Sequence, residues 1–358
     1  MSVYETGRLR IGTSFADGLC SGERGMWEAH LDELERTFGV SREPTWLYLY
    51  NDDEQTRIAE DCGYEGLLMG CWRDPVVRSI RLAVPHELVH AWLDPVQPRG
   101  LPVLSEGIAT RMSGLVMSIG EEPFVPEEAG PLTLDDLVRD IPPGKYDESG
   151  HLVAWLLATY DADTFMTLYA QTRRGMTSAE LSATFLDVLD RSPEDVLLTY
   201  QATARDYYPA MGGSACGRGP RIPWRDRAAT WGTDSCADGS RYGFEDSDQV
   251  QRVTIEVATD GWYLLDPAGH EASVTRCLTA PADETEVLHR YLGWAVKGDW
   301  ERRVPLIDLY NPRLAQYNDE WAEHELELTA GIYDVWVRRR AGEPPDEASG
   351  VKLIELDL

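Results

Sequence analysis

The chain has 358 residues, with 33 Lys and Arg against 62 Asp and Glu, for a formal net charge of −29. So acidic a surface repels phosphate backbones and anionic headgroups, which sets nucleic acid and membrane surfaces aside as partners. Hydrophobic residues make up 43% of the chain, with 12 Trp and 16 Tyr, so disorder is excluded despite the charge. No run approaches the roughly eighteen consecutive apolar residues that a membrane span requires.

At about 150 residues per domain, this length predicts two or three units. Residues 8–12 alternate like a short strand, and residues 23–38 place Trp27, Leu31, Leu34 and Phe38 on one helical stripe. Residues 46–50 read as a buried strand, closed by the helix-start signal Asn51-Asp52-Asp53. Residues 1–84 are therefore expected to form a small α/β part. From 85 to 210 the pattern is helical, with candidates at 107–115, 133–139, 148–160, 162–172, 178–189 and 193–205. Thr133 and Ser192 stand where N-caps belong.

The stretch 211–237 mixes Gly, Pro and two Cys with Arg218, Arg221, Arg225 and Arg227, and reads as a solvated connection between domains. Beyond it, over 238–358, the period switches to two. Val253, Ile255 and Val257 alternate with polar residues, as do Leu326 and Leu328, then Tyr333, Val335 and Val337, then Leu353 and Leu356. The expected fold class is α+β: an α/β and helical part over 1–210, followed by an all-β, sandwich-like domain.

Cys20, Cys62, Cys71, Cys216, Cys236 and Cys277 show no CxxC spacing, so disulfides are favoured over a cysteine metal site. Their short separations favour the pairs Cys62 with Cys71 and Cys216 with Cys236; buried free thiols are the alternative. Disulfides imply an oxidising compartment, extracellular or periplasmic, reached through a leader not present in this sequence.

The strongest chemical signal is Pro85-His86-Glu87-Leu88-Val89-His90-Ala91-Trp92. Helical residues four apart share a face, so His86 and His90 can offer two imidazole nitrogens to one ion, with Glu87 one step round. A catalytic zinc needs a third protein ligand and one open position. Glu106 lies sixteen residues beyond His90 in Leu104-Ser105-Glu106-Gly107-Ile108-Ala109. Ser105 is a fair N-cap, which would put Glu106 in the first turn of a second helix, and Gly107 would let that backbone approach the first helix.

HELVH followed by SEGIA resembles the gluzincin branch of zinc metallopeptidases, over roughly residues 46–172. The resemblance implies a zincin-like fold for the N-terminal part, Zn2+ on His86, His90 and Glu106, and Glu87 as general base in hydrolysis of a peptide or protein substrate. It further implies a tyrosine or histidine donor for the oxyanion, for which Tyr146 and His151 are the candidates. Asp94, four residues past His90, is a candidate to orient a ligand imidazole. Leu152, Trp155, Leu156, Phe165 and Leu168 read as core rather than as the roof of a cleft. A second class of function is a catalytically silent zinc lobe whose β domain binds a glycan or protein through Trp294, Trp300, Tyr310, Tyr317 and Trp321.

Overall fold

A computed structural model describes residues 2–13, 18–51, 54–80, 83–98, 100–113, 132–139, 145–203, 220–232, 249–266, 271–277, 324–339 and 351–356, together with 141, 236, 239 and 241–242. The chain is mixed α and β, with an N-terminal α/β part, a run of helices, and two later sheets. Cys216 and the aromatic set Trp294, Trp300, Tyr310, Tyr317 and Trp321 lie outside the described residues.

The first sheet has the order β1-β2-β3-β5-β4, from β1 (Ser2–Glu5), β2 (Leu9–Thr13), β3 (Thr45–Tyr50), β4 (Gly70–Arg73) and β5 (Val76–Ile80). β2, β3 and β5 are parallel, and β4 returns antiparallel to form the edge. β3 alternates rather than being buried throughout: Leu47 and Leu49 face the core, whereas Trp46 is 39% exposed. The reason is that, among the described residues, one face of this sheet is covered along its whole length, by α1 (Ser21–Phe38) and α3 (Val84–Leu93), whose Trp27, Leu31, Leu88 and Trp92 share the core with Leu47, Leu49 and Val77. α2 (Gln55–Cys62) covers only part of the other face, packing Ile58 and Cys62 against Tyr50 and Ile80.

Among the described residues six helices follow: α4 (Pro102–Ser113), α5 (Leu134–Val138), α6 (Tyr146–Thr159), α7 (Ala162–Gln171), α8 (Ser178–Leu189) and α9 (Pro193–Thr203). Thr133 caps α5 and Thr177 caps α8, each in a reciprocal capping box with the acid three residues on. Leu152, Trp155, Leu156, Phe165 and Leu168 are core residues, as the helical stripe requires. α4 and α6 cross in close contact. A Cβ on Gly107 would lie 2.5 Å from the Ser149 carbonyl oxygen, and one on Gly150 would lie 2.9 Å from the Thr110 methyl. Gly107 therefore serves an approach to α6, not to the histidine helix as its sequence position suggests.

Glu148, on α6, is 4% exposed; its Oε1 accepts from the Leu132 amide at 2.9 Å, while Oε2 is buried without a partner among the described residues. Burial outweighs that bond and the nearby Lys145 ammonium, and pushes the Glu148 carboxyl from 4.5 up to about 7. The folded state thus holds a proton that the unfolded chain has released, so this group's stabilising contribution is full below about pH 4.5 and is lost as pH rises to about 7. Glu148→Gln is expected to flatten the melting temperature across that interval and to raise it at pH 7 and above. An unchanged slope in melts taken from pH 4.5 to 7 would contradict this account.

Among the described residues the β part holds two sheets. One has the order β12-β10-β14-β7-β6, from β6 (Trp224–Arg225), β7 (Ala228–Trp231), β10 (Gly261–Asp266), β12 (His324–Leu328) and β14 (Val351–Glu355). The other has the order β11-β13-β9-β8, from β8 (Arg241–Tyr242), β9 (Gln249–Val257), β11 (Glu271–Cys277) and β13 (Gly331–Arg339). Ala229, Tyr263, Leu265, Val351 and Leu353 of the first share one core with Val253, Ile255, Tyr333, Val335 and Val337 of the second, as in a two-layer packing. The stretch expected to be a connection already supplies β6 and β7, and there Arg221 and Arg227 pair with Glu256 and Glu355.

Cys62 pairs with Cys71 as expected, whereas Cys236 pairs with Cys20 and not with Cys216. The Ser21 amide donates to the Cys236 carbonyl at 2.9 Å, and a Cβ on Gly22 would strike the Arg241 carbonyl, so the start of α1 lies directly against this part of the chain. Proximity in space, not in sequence, selects the partner. Among the described residues no helix is long and apolar enough to cross a membrane.

Candidate metal centre

α3 begins at Val84, with Pro85 in its first turn, where a missing amide donor costs nothing. α1 is fixed to this end, because His30 Nε2 donates to the Pro85 carbonyl at 3.0 Å. His86 and His90, one turn apart, present their Nε2 atoms to each other at 3.2 Å. α4 supplies the third group: Glu106 Oε2 lies 3.2 Å from His86 Nε2 and 3.4 Å from His90 Nε2. α4 starts at Pro102 rather than at Ser105, since the Ser105 amide already donates to the Leu101 carbonyl at 2.9 Å. A proline three residues upstream preempts the serine cap and places Glu106 in the second turn.

These separations fit a metal site. A tetrahedral ion with ligand bonds of about 2.0–2.1 Å holds its ligand atoms about 3.3 Å apart, and two imidazoles with one carboxylate are a donor set suited to zinc. Among the described residues this is the one group of three His, Cys, Asp or Glu side chains close enough to share an ion. The charges are mutually dependent. Burial works to raise the Glu106 carboxyl, but His90 and His86 outweigh it and hold that carboxyl well below its usual range. Burial works to lower His90, but Glu106 outweighs it and raises the imidazole to about 9. At neutral pH, ion uptake must therefore displace a proton from this cluster.

Glu87 is 8% exposed, and burial raises its pKa against the opposing pull of His90 and His86. The edge strand β4 makes room for it at Gly70, where a Cβ would lie 2.6 Å from Glu87 Cγ and 2.8 Å from Ser79 Oγ. No sequence signal marks Gly70, because its constraint comes from a side chain on another element. Gly70→Ala is expected to displace the Glu87 side chain from its buried position, as read in a crystal structure of the variant, and an unmoved Glu87 would show that the contact is relieved elsewhere.

His90 Nδ1 is met by Ser105 Oγ at 3.4 Å. Ser105, one residue before Glu106, thus stands where Asp94 is the sequence candidate; the Asp94 amide instead caps α3 on the His90 carbonyl. Ser105→Ala is expected to weaken zinc binding about tenfold in a competitive chelator titration, the usual order for a group that orients a ligand imidazole. An unchanged affinity would remove Ser105 from that role.

The two oxyanion candidates part company. Tyr146, the first residue of α6, lies parallel to the His86 ring, with centroids 6.2 Å apart and planes 5° apart. His151 is buried on another face of the same helix, its Nδ1 2.8 Å from the Tyr200 hydroxyl of α9. The structure brings His86, Glu87, His90, Glu106 and Tyr146 together and directs His151 to a helix contact. Compared with known proteins, the chain matches no protein-family model and no curated protein.

Proposed function

We propose that the protein is a zinc-dependent metallopeptidase of gluzincin type, with a zincin-like N-terminal part. The observation that carries this reading is the convergence of His86, His90 and Glu106 at 3.2 to 3.4 Å with a buried carboxyl, Glu87, one residue from the first ligand. His86 Nε2, His90 Nε2 and Glu106 Oε2 would hold the ion. Zinc bound there supplies Lewis acidity, lowering the pKa of a water towards about 7 and polarising the scissile carbonyl. Glu87 takes the proton of the attacking water and returns it to the leaving amine. Burial suits it to both steps, because a raised pKa makes the carboxylate a better base and its conjugate acid a usable donor. Tyr146, whose ring lies beside that of His86, would donate a hydrogen bond from its hydroxyl to the oxyanion as that charge develops.

The two disulfides support an oxidising compartment, and with it an extracellular or periplasmic peptidase. The test is a mixed peptide library or a denatured protein. Cleavage that a zinc chelator stops and added zinc restores is the expected result. Stoichiometric zinc with no cleavage across the library would instead favour the silent zinc lobe with a binding role.

A further inference from the structure

The sheet face turned away from α3 carries a pocket that peptide hydrolysis does not use. β3 lies inside the sheet, bonded on one edge to β2 and on the other to β5, and the register fixes which side chains stand together. Arg10, Trp46 and Val76 form one cross-strand row, and Gly12, Tyr48 and Arg78 form the next. α2 covers only the far end of this face. It leaves a cavity of about 370 Å³ floored by Gly12, Trp46, Tyr48 and Val76 and walled by Tyr50, Arg57, Asp61 and Arg78. Gly12 adds no side chain to the floor beside the Tyr48 ring.

The lining alternates aromatic faces with planar polar groups. Tyr48 and Tyr50 meet edge to face at 4.8 Å, and the Arg57 guanidinium lies 5.7 Å from the Tyr50 ring centroid. The Tyr50 hydroxyl donates to Asp61 Oδ2, and Arg57 pairs with Glu54 at 2.7 Å. Arg78 has no carboxylate partner among the described residues, in a chain where acids outnumber bases 62 to 33. Arg78 shares the pocket lining with Asp61 without an ion pair between them among the described residues, and a half-buried guanidinium in an aromatic pocket has N–H donors to offer an external anion.

We propose that this pocket binds an acidic saccharide, a pyranose ring carrying a carboxylate. The apolar face of the ring stacks on Trp46 and Tyr48, Arg78 takes the carboxylate through paired N–H donors, and the free lone pairs of Asp61 accept from a ring hydroxyl. The cavity falls within the range of about 300–1,000 Å³ usual for small-molecule sites and suits one or two sugar units. A peptide main chain finds no footing here, since both edges of β3 are already paired and strand addition needs an open edge. A nucleobase finds no parallel pair of rings to enter, because the two tyrosines are set at 67°.

The test is calorimetric titration of the full chain with trigalacturonate, galactotriose and AMP, using wild type, Arg78→Met and Trp46→Ala. Circular dichroism serves as the folding control, and the half-buried Arg78 carries the test alone if Trp46→Ala does not fold. Expected are saturable binding of trigalacturonate, at least about tenfold weaker binding of galactotriose, and a loss of at least about tenfold in each variant. The proposal is overturned if wild type shows no saturable trigalacturonate binding at millimolar concentration. It is equally overturned if the neutral sugar binds as well, if AMP binds in its place, or if Arg78→Met binds like wild type. Because Arg78 and Trp46 stand on the sheet face turned away from α3, loss of binding in their variants stands apart from success or failure of the peptidase reading.

Discussion

Glu87→Gln is expected to cut peptide hydrolysis by about 10²–10⁴-fold, the range that positioned acid–base catalysis contributes, while leaving zinc affinity and fold intact. The amide keeps the shape of the carboxyl, so the pocket opposite Gly70 stays filled. It cannot take the proton from water or return it to the leaving amine. Stability is expected to hold or rise slightly, because the carboxylate is disfavoured in this buried position and the neutral amide carries no such penalty. The measurement is kcat and metal content on one preparation of each protein. A variant within tenfold of wild type, with zinc bound, would show that another group carries the proton. A variant that has lost zinc would show that Glu87 is part of the ligand set.

The second large effect concerns stability. The Cys20 to Cys236 disulfide closes a loop with a sequence separation of 216, whereas Cys62 to Cys71 spans 9. Loop-closure entropy scales with the logarithm of that span, giving about 5 kcal/mol for the first and about 2.5 kcal/mol for the second. The double substitution Cys20→Ser and Cys236→Ser is therefore expected to lower unfolding stability about twice as much as opening the short loop. Denaturant melts of the two double mutants check this. Equal losses would mean that contacts such as Gly22 against Arg241 already hold the start of α1 in place without the bond.

Much of the site is legible from local periodicity. His86 and His90 sit four apart, so any helix there brings their rings to one face, and Glu106 follows in a segment of helical pattern. In the same way Val253, Ile255 and Val257 face one core because a strand alternates, and β9 needed no tertiary information. What escaped is set between elements. β4 and β5 form a hairpin too short to show alternation, with Asp74 and Pro75 breaking the run, and so Gly70 carries no mark of its contact with Glu87. Ser105 has the sequence setting of a cap, yet Pro102 starts the helix sooner and turns the serine towards His90. Cys236 finds Cys20 across more than half of the chain, a pairing that spacing cannot forecast. Tyr146 and His151 are five residues apart on α6, and only the packing of α6 on α4 and α9 decides which ring meets His86.

His86, His90 and Glu106 are proposed to hold one zinc ion. Metal analysis of protein purified without chelators, beside His86→Ala and Glu106→Ala, tests it most directly. One zinc per chain in wild type, lost in both variants while their circular dichroism is retained, is the predicted result. Wild-type protein without stoichiometric metal, or variants that keep it, would contradict the account.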